Sequence, residues 1–338
     1  MFKPLLYTLS LLALPAAAET WIMATPYGDG LFQTQNVRDF AEMVEERSDG
    51  ALVIEVHSNA SLYEHGAIDD AVAGGEIEAG EVLLSVLSSD AAAYGLDTLP
   101  FSATDYDGAA ELWDAQRPLV EALLEARGLM PLYSVPWPPQ GLYTREEITD
   151  PAELRGRALR TYNATMDVLA EELDMSAVRV EVKDIPVAIA AGELDMMLTS
   201  ATTGVGSASW DYFPYFYDIQ AWLPKNMVFV NRAAFDALSP EVQRIVLDAA
   251  AEAEAEGTIS SMIDAVEAVK TLFDNGTTIV TSDGETIETR DGRSVRSVDP
   301  MLLQALEAAS ARVAQRWLED AGSEADLARV LQTMGAGG

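Results

Sequence analysis

The stretch Glu153–Asn163, ELRGRALRTYN, sets Arg155, Arg157 and Arg160 within six residues of one another in a chain dominated by carboxylates. A guanidinium withdrawn from water offers parallel N–H donors that match the two oxygens of a carboxylate or sulfonate. The plainer reading of such arginines is charge balance at the surface, where an ion pair contributes little. Other chemistry is scarce. The chain has two histidines, His57 at the end of an alternating run and His65 beside Glu64 in SLYEHG. No G-x-S-x-G elbow, H-E-x-x-H, P-loop or G-x-G-x-x-G is present. The Asp-rich Thr104–Gly108 (TDYDG) misses the twelve-residue calcium-loop pattern. Nothing in this inventory calls for an enzyme, a metal or a cofactor.

The elements that position these residues follow an α/β rhythm. Trp21–Ala24 and Ala51–His57 read as strands, and Gln33–Arg47 as a helix with Val37, Phe40, Ala41 and Val44 on one face. Ala67–Ala73 is a helix, Glu81–Leu87 an apolar segment completing a largely parallel sheet, and Ala109–Arg127 a further helix. Pro131–Tyr143 (PLYSVPWPPQGLY) changes character: four prolines stiffen an extended segment suited to a crossover or a cleft lining. The rhythm then restarts. Arg157–Thr161 is a strand in which Arg160 and Ala158 share one face. Asn163–Leu173 is a helix, Val178–Val182 a strand, Ile185–Ala191 a helix, Leu194–Leu198 a strand, Ser207–Leu223 irregular and Asn226–Asn231 a strand. Ser239-Pro240-Glu241 opens a helix that runs to about Asp274, with Gly257 its one weak point. Asn275–Val298 contains short strand-like runs around TTIVT and ETIETR, and Asp299–Ala321 is a closing helix.

At 338 residues the chain exceeds one ordinary core, so two domains are expected. The balance of 55 Asp+Glu against 21 Lys+Arg, a formal charge of −34, excludes a nucleic-acid partner and docking on anionic lipid. Lys3, the apolar run Leu5–Leu14 and Ala16-Ala17-Ala18 make a secretory leader too short to span a bilayer as a permanent anchor. The expected product is a periplasmic protein without direct membrane insertion after cleavage. With no cysteine, neither disulfides nor a lipobox enters.

Five stretches in register carry a resemblance: FAEMVEERSDGALVIEV, TLPFSATDYDGAAELW, ITDPAELRGRALR, DIPVAIAAGELD and VFVNRAAFDALSPEVQRIVLDAA. Together they resemble the extracytoplasmic solute receptors of TRAP transporters, the DctP family. The resemblance implies a two-domain periplasmic binding protein of the Venus-flytrap kind, braced by a long helix bridging both domains. Beyond a leader at 1–18, domain I comprises 19–137 plus 226–265 and domain II 138–225 plus 266–338, with the ligand cleft between them. It further implies capture of a small organic anion and delivery to TRAP membrane permease subunits. An ABC-importer receptor is the nearest competing reading, and a secreted hydrolase a more distant one.

By motif position the family's carboxylate-binding arginine falls on Arg160. A second family arginine is replaced by Tyr143, and the usual strand-end Asn by Thr199. These departures count against the family's dicarboxylate and sialic-acid substrates, and Trp137, Tyr143, Tyr162, Trp210 and Phe213 are candidate walls for an apolar or aromatic monoacid or a stacking surface for a cationic zwitterion. Asn163 is expected to cap its helix with a ligand contact open to it. Glu64 and His65 lie where the family's first domain reaches the ligand.

Overall fold

The protein is described here from a computed structural model covering residues 18–282, 287–288 and 294–321. The expected leader and the C-terminal MGAGG lie outside these residues.

The chain opens with β1 (Glu19–Ala24), α1 (Phe32–Arg47), β2 (Leu52–His57), α2 (Ile68–Ala73) and β3 (Ala79–Leu83). Two 3₁₀ segments, Leu84–Ser89 and Ala92–Thr98, lead to α3 (Tyr106–Ala126), β4 (Leu129–Pro136) and β5 (Gln140–Thr144). Then come β6 (Ala158–Thr161), α4 (Ala164–Glu172), β7 (Ser176–Arg179), α5 (Ile185–Ala190), β8 (Met196–Ser200), α6 (Ala201–Gly206), β9 (Tyr215–Asp218) and β10 (Lys225–Asn231). The chain closes with α7 (Arg232–Ala237), α8 (Pro240–Asp274), β11 (Thr278–Thr281), β12 (Ile287–Glu288), β13 (Ser294–Ser297) and α9 (Pro300–Ala321).

These strands form two sheets, β2-β1-β3-β10-β4 and β12-β13-β11-β9-β5-β8-β6-β7, each the centre of one lobe. Both are largely parallel, as the rhythm predicts, but each carries a reversed strand that it does not. In the first, β10 runs antiparallel to both β3 and β4; in the second, β5 runs antiparallel to both β8 and β9. The reason is topological. β5 and β10 enter their sheets from the other lobe, so each runs against the strands built locally. Two further elements differ from expectation: the apolar run after Glu81 leaves the sheet at Leu83 for a 3₁₀ turn, and the aromatic segment contains β9.

Local signals hold where a side chain closes a helix end. Asn163 Oδ1 accepts from Met166 N at the start of α4, and Ser239 Oγ accepts from Val242 N ahead of Pro240 in α8. On α1 the buried Val37, Phe40, Ala41 and Val44 face the first sheet.

Three connections join the lobes. Trp137-Pro138-Pro139 leads from β4 to β5, residues 219–224 lead back to β10, and α8 passes alongside both. The first two pair with each other: Trp137 N donates to Pro224 O (2.7 Å), Gln140 N to Trp222 O (2.9 Å) and Ala221 N to Gln140 O (2.8 Å). Helix α8 runs 35 residues unbroken, roughly 52 Å at 1.5 Å per residue. Gly257 does not interrupt it. A Cβ there would stand 2.6 Å from a Val135 methyl and 2.9 Å from Asn36 Nδ2, so the glycine is what lets α8 seat on β4 and α1. Asn36 Nδ2 ties the same contact by donating to Ala253 O (2.8 Å).

Candidate functional site

The carboxyl ends of β6 and β8 point toward the first lobe, the usual location for a ligand in an α/β sheet. Between the lobes lies a partly open cavity. The first lobe contributes Tyr27, His65, Leu83 and Val86. The waist contributes Trp137, Gln140 and Pro224. The second lobe supplies Arg160, Tyr162, Glu181, Val182, Thr199 and Thr203.

Arg160 dominates the electrostatics. It is 1% exposed, its Nε donates to Val180 O (3.0 Å), and its guanidinium carbon lies 5.1 Å from the centre of the Tyr162 ring. Among the described residues it has no carboxylate partner within ion-pair distance, and its terminal nitrogens make no hydrogen bond. Burial lowers its pKa to about 10, with partial relief from Tyr162, Glu181 and Tyr27, so the group is cationic at neutral pH. A buried, unpaired cation with its donors on a cavity is an arrangement that an anion would complete.

Around it the wall is held by hydrogen bonds. Trp222 Nε1 donates to Tyr162 Oη (3.2 Å), which donates to Gln140 Oε1 (3.4 Å), and Gln140 Nε2 donates to Pro138 O (2.8 Å). On the first-lobe side, Tyr27 Oη (3.0 Å) and Trp137 Nε1 (2.8 Å) both donate to Asn226 Oδ1. Asn226 is oriented in turn by Glu81, whose carboxylate accepts from Asn226 Nδ2 (2.7 Å) and Thr25 Oγ1 (2.5 Å). Leu83 N donates to His65 Nε2 (2.9 Å), which leaves the proton on Nδ1, facing Glu181 Oε2 at 3.3 Å. That contact crosses the cleft, and at its mouth Lys183 Nζ bridges to Glu64 Oε2 at 2.7 Å.

Burial pushes the Glu81 carboxyl up to about 7, against the hydrogen bonds from Thr25 and Asn226. The folded state therefore holds this proton at higher pH than the unfolded chain does. Stability falls as pH rises from about 4.5 to about 7 and the full cost persists above that. Glu81→Gln keeps an acceptor for Asn226 and removes the titration. Its melting temperature relative to the native chain is expected to rise across that interval, with a plateau worth at most roughly 3 kcal/mol. Paired melts from pH 4.5 to 8 check this; a flat difference refutes it.

Of the residues singled out from sequence, Arg160, Trp137, Tyr162, Thr199 and His65 meet at the cavity. The others do not line it. Tyr143 shares a sheet face with Thr199 but sits one pleat deeper, 4.6 Å from Phe216 and 6.3 Å from Phe213 between ring centres, and its hydroxyl donates to Ser200 O (3.2 Å). Phe213 is buried in that same apolar cluster and Trp210 packs against it. Asn163 is occupied at both ends, capping α4 with Oδ1 and donating from Nδ2 to Ser85 Oγ (2.9 Å). Glu64 belongs to the mouth. Sequence reasoning missed the lining residues Tyr27, Gln140, Glu181 and Thr203, and the apolar Leu83, Val86, Val182 and Pro224. Gln140 alone carried a signal, as the polar residue of the proline-rich crossover. Arg155 and Arg157 fulfil the plain reading, facing Asp174 and Glu146 respectively. Among the described residues no three His, Asp or Glu side chains converge to hold a metal ion, and no helix is long and apolar enough to cross a membrane.

Two lobes joined by three connections and shut over a buried, unpaired arginine define a cleft-closing solute receptor. Residues 23–291 match the model of the bacterial extracellular solute-binding proteins, family 7 (DctP), and the chain belongs to that family. It is similar to DctP7 of Bordetella pertussis, an extracytoplasmic solute receptor binding pyroglutamic acid, at 34% identity and a TM-score of 0.86, covering 93% of this chain and 100% of that one. A TRAP solute-binding protein from a marine metagenome, specific for pyroglutamate, is 29% identical with a TM-score of 0.85, covering 94% and 99%. A solute-binding protein of Albidiferax ferrireducens is 22% identical over 232 residues, 67% of this chain and 68% of the relative. These relatives are solute-binding receptors.

Proposed function

We propose that the protein is exported through its N-terminal leader and works in the periplasm as the receptor of a TRAP-type transporter. It captures a small organic monocarboxylate by lobe closure and hands it to the membrane permease subunits. The observation that carries this reading is Arg160: a guanidinium buried without an anion, lining the cavity between the lobes. The ligand's carboxylate sits on Arg160, Trp137 and Tyr162 wall its apolar part, and Thr199 and His65 complete the enclosure. Tyr143, Phe213 and Trp210 act from beneath, as the packing that fixes the sheet behind the pocket, while Asn163 and Glu64 hold the lobes against each other.

The lobes divide at the waist, with 19–137 plus 226–265 on one side and 138–225 plus 266–338 on the other. The family match favours a TRAP permease over an ABC importer as the partner. The pyroglutamate bound by two similar receptors points to a compact cyclic acid. Calorimetry of the mature chain against pyroglutamate, proline, 2-hydroxy acids and dicarboxylates tests this. Saturable one-to-one binding of a monocarboxylate, with a matching rise in melting temperature, is expected. Failure of every acid to bind overturns it.

A further inference from the structure

We propose that Glu181 is the specificity-determining residue of the cavity, selecting acids that carry an N–H or O–H donor beside the carboxylate. This rests on the reading of the cavity as an organic-acid site.

Most of the polar lining is already committed. Both His65 nitrogens are engaged, Gln140 uses its amide on Pro138 and Tyr162, and the Tyr27 hydroxyl is given to Asn226. The Thr203 hydroxyl is engaged with Ser200 Oγ (3.1 Å), so besides the Thr199 hydroxyl that leaves the terminal nitrogens of Arg160, which only donate, and the carboxylate of Glu181, which only accepts. Glu181 lines the cavity and also the opening toward the mouth. Its Oε2 faces His65, and its Oε1 makes no hydrogen bond among the described residues. Burial raises its pKa, but the His65 contact and the charges of Arg160 and Arg179 outweigh that and leave it below the usual range, so it is anionic at neutral pH.

Arg160 and Glu181 face one cavity without forming an ion pair, so the site presents a separated plus and minus. A carboxylate satisfies the first. The second needs a donor, and a lactam N–H, a secondary amine or a neighbouring hydroxyl supplies one. A bare ether oxygen or a second carboxylate placed there would be buried against a negative charge and repelled. The apolar remainder, Leu83, Val86, Val182 and Pro224, suits a small ring.

The test uses matched probes in calorimetry: pyroglutamate against its lactone counterpart, in which a ring oxygen replaces the N–H; proline against cyclopentanecarboxylate; and a 2-hydroxy acid against the same acid without the hydroxyl. For whichever pairs bind, the native protein should favour the donor-bearing member by roughly two orders of magnitude. Glu181→Gln, whose amide can turn N–H toward a ring oxygen, should weaken the donor-bearing member and cut the ratio at least tenfold. Its unchanged melting temperature without ligand would show that the fold is intact. Equal binding within pairs by the native protein, or a ratio that survives Glu181→Gln, overturns the assignment and leaves the receptor reading standing. Absence of binding by every probe overturns the receptor reading itself.

Discussion

Arg160→Met is expected to weaken organic-acid binding by at least roughly a hundredfold while leaving the ligand-free melting temperature equal to or above that of the native chain. Both halves come from the same observation. The guanidinium is desolvated and has no anionic partner of its own, so the fold bears the cost of burying it until a ligand carboxylate arrives. Truncating one partner of a buried charge pair costs about 2–5 kcal/mol of binding. Methionine fills the aliphatic volume and removes the buried charge, so the ligand-free protein loses the Nε contact to Val180 O, the stacking on Tyr162 and a distant attraction to Glu181, against the larger cost of burying the charge. Arg160→Lys should not rescue affinity, since a point charge lacks the paired donors that a carboxylate takes in parallel. Calorimetry and thermal melts on the same preparations decide it; affinity within threefold of native in the Met variant would remove Arg160 from the site.

Gly257→Ala is expected to lower stability by about 1–3 kcal/mol, several degrees of melting temperature. The sign is the informative part. In an exposed helix the same change stabilises by about 1 kcal/mol, because alanine is the better helix former. Here the new Cβ meets the two methyls of Val135 at 2.6 and 3.0 Å, and a β-branched side chain in a strand has little freedom to withdraw. Val135→Ala in the same chain should recover part of the loss, although alone it is destabilising. A melting temperature that rises with Gly257→Ala would mean that α8 does not seat on β4 in this way.

Much of the architecture was legible because it rests on local physics. The apolar period of α1, the Asn163 and Ser239 caps and the proline-rich waist need only neighbours in sequence. Arg160 could be placed on a strand face by alternation, and the motif order then set it apart from Arg155 and Arg157. Motif position gives a place along the chain but not a depth, which is why Tyr143 was singled out with Thr199 yet lies a pleat below the cavity, against Phe213 and Phe216. Glu181 was hidden by its company. Among 55 acidic residues, nothing local distinguishes the one that the fold turns toward Arg160. The antiparallel β5 and β10 were equally out of reach, because their direction is fixed by which lobe the chain has just left.

The closed mouth has a kinetic consequence. With Glu64 bridged to Lys183 and His65 to Glu181 across the cleft, the parting of the lobes has to break both contacts to free a solute on Arg160. Its dwell time is then the lifetime of the shut cleft, and the release clock belongs to the waist and to α8 rather than to the pocket. How tightly a solute is held and how long it stays become separately adjustable, the first at Arg160 and the second at positions such as Gly257 that no solute touches.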